Sequence, residues 1–384
     1  MKKTGRRPAG PMLLAAAAFL AACVLIEPAI PALKSLTQRA AMISAVITMP
    51  EGSLLTLEER FHAEPPLAKE DEKPQPESQP SEPEPAASEA EEKPSYTWPE
   101  IPEEQAPPPV QPEIPEEYRG ELLSENLAGY AGGPYTIYRN AYIRNYTKLA
   151  SDEILNILAA PMQMRFEETD APQVLIMHTH ATESYAPFDS DVYDKRYNWR
   201  TTDNNNNVVA VGAQLAETLR ENGISVLHDT TQHDYPSYTG AYERSEKTVR
   251  AYLEQYPTIK VVFDVHRDAI ERDGAVIVKP VVEIGGKKAA QLMVMANCDD
   301  GSGLIPKWSE NFRFAAAITD QLQKDYPDLS RPIFFSYRKY NQQLTTGSLL
   351  LEFGSHANTL EEAEYTARLV GESVAKVLNQ TKTG

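Results

Sequence analysis

The stretch Val174-Leu-Ile-Met-His-Thr-His-Ala-Thr-Glu-Ser-Tyr185 decides the fold. Its four leading apolar residues, with Pro172 just upstream, read as a short strand buried on both faces. His178, His180 and Glu183 follow at once. In open α/β sheets, ligands gather outside the carboxyl ends of the strands. One histidine at a strand end is commonly a polar group meeting water. Two imidazoles and a carboxylate so close together make a candidate metal site.

The same design recurs downstream. Ile259-Lys-Val-Val-Phe-Asp-Val-His266 is a second buried strand that delivers a histidine at its end. Ser348-Leu-Leu-Leu-Glu-Phe-Gly354 is a third, delivering Glu352. Helical spacings lie between them: Val208, Val211, Leu215 and Leu219, stopped at Gly223; Tyr242, Val249, Leu253 and Tyr256, stopped at Pro257. Ile224–Leu227 reads as a further strand, and Ser151–Leu158 as a short helix. Ala275–Val282 and Ala290–Ala296, separated by Gly285-Gly286, read as a hairpin. Ser309 is expected to cap a helix bearing Phe314, Ile318, Leu322 and Tyr326. Asn358 with Glu361 is expected to form a capping box for a closing helix with Ala363, Ala367, Val370, Val374 and Leu378 inward. Strands alternating with helices imply an α/β fold, a mostly parallel sheet with helices on both faces.

Upstream of this domain, placed at 126–384, composition changes sharply. The formal net charge is −18, yet between Glu64 and Tyr118 sixteen acidic residues stand against three lysines, a local balance of −13. Fifteen prolines fall between Pro65 and Pro115. Proline removes backbone donors and like charges repel, so 63–125 reads as an extended, disordered Pro/Glu-rich linker. Residues 34–62 read as a juxtamembrane segment. At the start, Lys2, Lys3, Arg6 and Arg7 precede an uncharged run from Pro11 to Ile26, with apolar character resuming to Leu33. A basic flank before an apolar run predicts a signal anchor over 1–33, cytoplasmic at its start, with the rest of the chain outside. A cleaved signal peptide and lipidation at Cys23 are competing readings, and each also exports the chain. The two cysteines, Cys23 and Cys298, do not suggest a disulfide. Nucleic acid is not an expected partner, since no basic patch faces phosphate.

Three buried strands thus end in His180, His266 and Glu352. Catalytic zinc takes three protein ligands and leaves a fourth position for water. It lowers that water's pKa to about 7, and a nearby carboxylate can carry the proton to a leaving amine.

The stretches His178-Thr-His180-Ala-Thr-Glu183-Ser, Asp264-Val-His266-Arg-Asp268 and Leu351-Glu352-Phe-Gly354 resemble those of stage II sporulation protein P. That family belongs to the zinc-dependent N-acetylmuramoyl-L-alanine amidases, and the likeness covers roughly 130–380. It implies an amidase-like fold, zinc held by His180 and His266, and Glu352 as the catalytic carboxylate. The middle ligand departs from the amidase pattern: Asp203 stands where a glutamate precedes the helix, and Glu183 lies close enough to His180 to compete. Glu183 is placed slightly ahead. The resemblance further implies peptidoglycan as substrate, septal wall degradation and engulfment during sporulation, sporulation protein D as a partner, and possible cross-link endopeptidase activity. It also implies a single-pass membrane protein with its catalytic domain outside.

Other residues have plainer readings. His178 reads as an orienting partner rather than a ligand. Arg200, Arg267 and Asp268 read as loop supports ahead of contacts to an anionic peptide, and His356 as either a carbonyl-polarising group or a surface residue. His62, His228 and His233 have no companions in sequence. Glu352, inside a run of leucines, requires a cation of some kind, metal or arginine, because an unpaired buried carboxylate is costly.

Overall fold

A computed structural model of the chain describes residues 113–384, except 131, 168, 273–275 and 384. The expected anchor, the juxtamembrane segment and most of the expected linker lie outside the described residues. Among those described, no helix is long and apolar enough to cross a membrane.

In chain order the elements are β1 (Arg119–Glu125), β2 (Thr136–Tyr138), β3 (Ala141–Asn145), α1 (Ser151–Ala159), β4 (Phe166–Glu167), β5 (Val174–Met177) and β6 (Val192–Asp194). Then come α2 (Val208–Glu221), β7 (Val226–His228), α3 (Ala241–Gln255), β8 (Val261–Asp268), β9 (Glu271–Arg272), β10 (Val276–Ile284) and β11 (Lys287–Ala290). The last are β12 (Leu292–Asn297), α4 (Trp308–Asp325), β13 (Ile333–Ser336), β14 (Gly347–Ser355), α5 (Leu360–Asn379) and β15 (Lys382–Thr383).

Eight strands form the central sheet in the order β2-β3-β13-β12-β14-β8-β5-β7. Five of its seven neighbouring pairs are parallel; β2 with β3 and β12 with β14 are antiparallel. The fold is a mixed α/β one with a mostly parallel sheet, as the alternation of elements predicts. On one face Val174, Ile176, Val261, Phe263, Val265, Leu349 and Leu351 pack against α1, α2, α4 and α5. On the other, Leu175, Met177 and Val262 pack against Val249 of α3. Alternate residues of each strand therefore feed two different cores. The even-numbered residues of β8 and β14 share the α3 side.

Four boundaries differ from expectation. β1 lies inside the stretch assigned to the linker, and pairs parallel with β10 and antiparallel with β6 in a smaller sheet ordered β11-β10-β1-β6. Ordered structure thus begins before residue 126, and Ile114–Gly384 falls within one compact unit. The Pro/Glu-rich composition next door masks the short apolar pair Leu122-Leu123. The hairpin does turn at Gly285 and Gly286 (φ 57° and 77°), a backbone that favours glycine. Its second arm is β11, however, and the chain then leaves at Gln291 to enter the central sheet as β12. The cap of α5 is one residue later than predicted: Thr359 Oγ1 accepts from Glu362 N (3.2 Å), and Thr359 N donates to Glu362 Oε2 (3.1 Å). Asn358 is engaged elsewhere, accepting from Ser355 N (2.9 Å) and donating to Pro280 O (3.2 Å). Finally, α4 starts at Trp308 after Lys307, so Ser309 lies inside its first turn rather than at the cap.

Candidate active site

Strand register creates the site. Glu352 is the Cα partner of His266 across the parallel β14–β8 pair, so the two side chains stand side by side on the α3 face. β5 pairs with β8 on the other flank, and the turn after it brings in His180 and Glu183. The His180 and His266 rings lie edge to face, 5.2 Å apart. Glu183 Oε2 is 3.3 Å from His266 Nδ1, and Asp264 Oδ1 is 2.8 Å from His266 Nε2. The structure brings His180, Glu183, His266 and Glu352 together.

It does not bring Asp203 to them. Asp203 is exposed, and its carboxylate accepts from Asn205 N (3.0 Å) and Asn206 Nδ2 (2.7 Å) in the loop before α2. His178 also points elsewhere. Its Nδ1 is 3.0 Å from Val265 O and its Nε2 is 2.9 Å from His228 Nε2. Nδ1–H must donate to the carbonyl, so Nε2 accepts from His228 and neither lone pair is left for a ligand. Gly212 on α2 makes room for this pair, since a Cβ there would meet the His178 ring at 2.5 Å. His228 therefore has a companion, and so has His233, whose Nδ1 is 2.9 Å from His178 O.

The supports fall in place around the four. Arg267, only 1% exposed, donates from Nε to Ser184 O and from Nη2 to Trp199 O (both 2.9 Å), while its backbone N reaches Glu183 Oε2 at 3.3 Å. Arg200 lies 3.6 Å from Glu183 and 3.0 Å from Asp234. Asp268 pairs with Arg331 at 2.8 Å. His356 is buried edge-on to Trp199 at 4.8 Å, so the surface reading of it fails. Sequence reasoning left Asp234 and Tyr238 unassigned and read Tyr242 only as part of a helix face. Tyr238 stacks on His180 at 4.3 Å and Tyr242 meets it edge-on at 5.4 Å. No periodic pattern marks the loop holding Asp234 and Tyr238. Asp264 did leave a signal, as a carboxylate within an apolar strand two residues from a histidine.

Electrostatics set the protonation states. Burial pushes the His180 ring down to about 3, so it is a neutral imidazole near pH 7. Burial also pushes His266 down, but Asp264 and Glu183 outweigh it and hold that ring well above its ordinary value. Burial raises the Glu183 carboxyl, yet the His266 hydrogen bond and neighbouring charges bring it below the usual carboxylate range. Glu352, 1% exposed, is raised well above it by burial and then by Asp268.

Do these residues suit a metal? Among the described residues, no three His, Cys, Asp or Glu side chains stand together at ligand spacing. Three observations nevertheless fit one. Both ring nitrogens of His180 are buried without a hydrogen-bond partner, and so is Glu352 Oε2, an arrangement that is costly unless something satisfies it. The donor set is imidazole and carboxylate, which zinc accepts. Five carboxylates (Glu183, Asp234, Asp264, Asp268, Glu352) face three arginines (Arg200, Arg267, Arg331), and the balance is made up by protons held on the raised His266 ring and the raised Glu352 carboxyl, whose place a divalent cation can take.

The comparisons with known proteins come to bear on this geometry. The family model for stage II sporulation protein P (SpoIIP) matches residues 33–375. The chain belongs to that family. A curated relative, stage II sporulation protein P of Bacillus subtilis (strain 168), is 28% identical over 212 residues, covering 52% of this chain and 49% of the relative. The match thus spans about half the length of that SpoIIP protein. Among solved structures, the amidase AmiC2 of Nostoc punctiforme is 11% identical, with 54% of this chain and 96% of that one covered and a TM-score of 0.30. The CwlD amidase of Clostridioides difficile, solved with the GerS lipoprotein, is 12% identical, with 54% and 98% covered and a TM-score of 0.33. Likeness of that extent carries no argument about activity.

Proposed function

We propose that this SpoIIP-family chain is a membrane-tethered, zinc-dependent N-acetylmuramoyl-L-alanine amidase that cleaves the amide between the lactyl group of muramic acid and L-alanine in peptidoglycan. The observation that carries the reading is His180: buried, neutral, without a hydrogen-bond partner at either ring nitrogen (the Asp234 carboxylate stands 4.0 Å from Nδ1), and beside His266 and Glu183. Family membership supports a role in sporulation. The basic and apolar leader supports a single-pass anchor with the catalytic domain outside the cell membrane. Engulfment, partnership with sporulation protein D and cross-link endopeptidase activity belong to the same proposal.

His180, His266 and Glu183 are the residues that would hold zinc. When bound, zinc supplies Lewis-acid polarisation of the amide carbonyl and water of lowered pKa. The ionised form of Glu352 would be favoured by a cation beside it, and its Oε2, without a hydrogen-bond partner and next to His266, would then accept the water proton and hand it to the departing alanine nitrogen. Tyr238 packs over His180 and shields it from bulk water. Arg267 and Arg200 hold the Glu183 segment in place from either side.

The test uses the full-length chain in mild detergent with purified cell wall. One zinc per chain, release of peptides with free N-terminal alanine, and loss of that release in Glu352→Ala with zinc retained are the expected results. Cuts confined to the stem peptide would make it a peptidase instead. Wall binding without any cutting would make it a scaffold, and a fully lytic His180→Ala would remove the metal mechanism.

A further inference from the structure

The proposed ligands come from two separate strands, and one carboxylate touches both. Asp264 lies on β8 two residues before His266, on the same face, and is 5% exposed. Its Oδ1 accepts from Thr179 N and its Oδ2 from Thr179 Oγ1, both at 2.7 Å. Thr179 is the residue between His178 and His180, so these bonds tie the turn carrying His180 directly to β8. The same Oδ1 stands 2.8 Å from His266 Nε2, an ion-pair contact rather than a well-aligned hydrogen bond.

We propose that Asp264 is the positioning residue of the centre, a buried carboxylate that sets the His180 turn and the His266 ring against one another. The inference rests on the metal reading above. An acid beside Nε2 keeps the proton on that nitrogen, and Nδ1 is left facing Glu183. Neutral-ring tautomers of metal-binding histidines are commonly fixed by such a partner on the opposite nitrogen. Here the partner also grips the neighbouring ligand's backbone, so displacing it disturbs both histidines at once. The role is one of orientation, because Asp264 itself stands behind His266 with both oxygens engaged.

A purely structural account makes a different claim: that Asp264 serves only to satisfy Thr179. Two variants of the full-length chain separate the two. Asp264→Asn keeps the side-chain shape and removes the charge beside His266. Thr179→Val removes the hydroxyl bonds to Asp264 and Ser245 and leaves the Thr179 backbone bond and the His266 contact. Zinc affinity is read by chelator competition and apo stability by thermal melting. The expected result is that Asp264→Asn weakens zinc binding about 10–100-fold, while Thr179→Val lowers the melting temperature and weakens zinc binding by much less. Unchanged affinity in Asp264→Asn overturns the proposal, and so does weakening in both variants in step with lost stability. If Asp264→Asn fails to fold, Asp264→Glu carries the test: the charge is kept but moved by one methylene, and unweakened zinc binding overturns the idea. An unaltered chain that binds no zinc removes the metal reading itself, and this inference with it.

Discussion

Glu183 and Asp203 lie in very different surroundings. Glu183 is buried and gripped by His266, Arg200 and the Arg267 backbone; Asp203 is exposed and shapes its own loop. Glu183→Gln is therefore expected to weaken zinc binding by more than the roughly 10–100-fold cost of losing an orienting partner. Asp203→Asn is expected to leave it unchanged; chelator competition on both variants decides. Arg267→Met takes the guanidinium donor from the buried Ser184 carbonyl and one of two donors from Trp199 O, which keeps Ser184 N; loss of a buried partner costs about 1–3 kcal/mol. A clear fall in the urea midpoint at unchanged slope is the expected outcome. At this scale the sequence showed which residue types matter but not which way they face. His178 and His180 are two residues apart in one motif, yet one is spent holding β5, β7 and β8 together and the other has no hydrogen bond at either ring nitrogen. That difference arises from a turn whose geometry depends on Asp264, a residue far away in the chain.

The three buried strands were legible because each is a short apolar run ending in a polar residue, and their burial on both faces is what a central parallel sheet imposes. Helix ends were less so. Thr359 and Asn358 are both competent caps, and the choice was made by tertiary bonds from Asn358 to Ser355 and Pro280. Thr359→Ala is expected to cost about 1 kcal/mol of stability, measured by chemical denaturation. The contact of α4 with α5 carries a pH dependence. Burial would raise the Asp325 carboxyl, but bonds from Ser373, Gln321 and Lys376 prevail and lower it. Its folded pKa is therefore below its unfolded value of about 3.9. The stabilisation is complete above that pH and is lost as pH falls through the lower, folded value. Melting temperature should fall below about pH 4, and Asp325→Asn should flatten part of that fall; an identical profile in the variant would contradict it.

For the molecule as a whole, the boundary of the folded unit is the most practical correction. β1 pairs with β10 and β6, and Leu122 packs with Ile277 and Ala357 near the end of β14. A fragment starting at residue 126 should melt well below one starting at residue 113 and bind zinc more weakly; equal behaviour would show β1 to be dispensable. Composition alone could not reveal this strand, since charge and proline counts average over windows longer than it is.

The strand order has a consequence for timing. β14, which bears Glu352, is the last strand of the central sheet to leave the ribosome, yet its place is in the middle, between β12 and β8. Until it slots in, two interior edges stand open, and the proposed proton acceptor has no position beside His266. Such long-range pairings form late and slowly. A partly synthesised copy thus lacks the β14 carboxylate beside His266, and on the lytic reading the cell meets no cutting enzyme until the whole chain has been made.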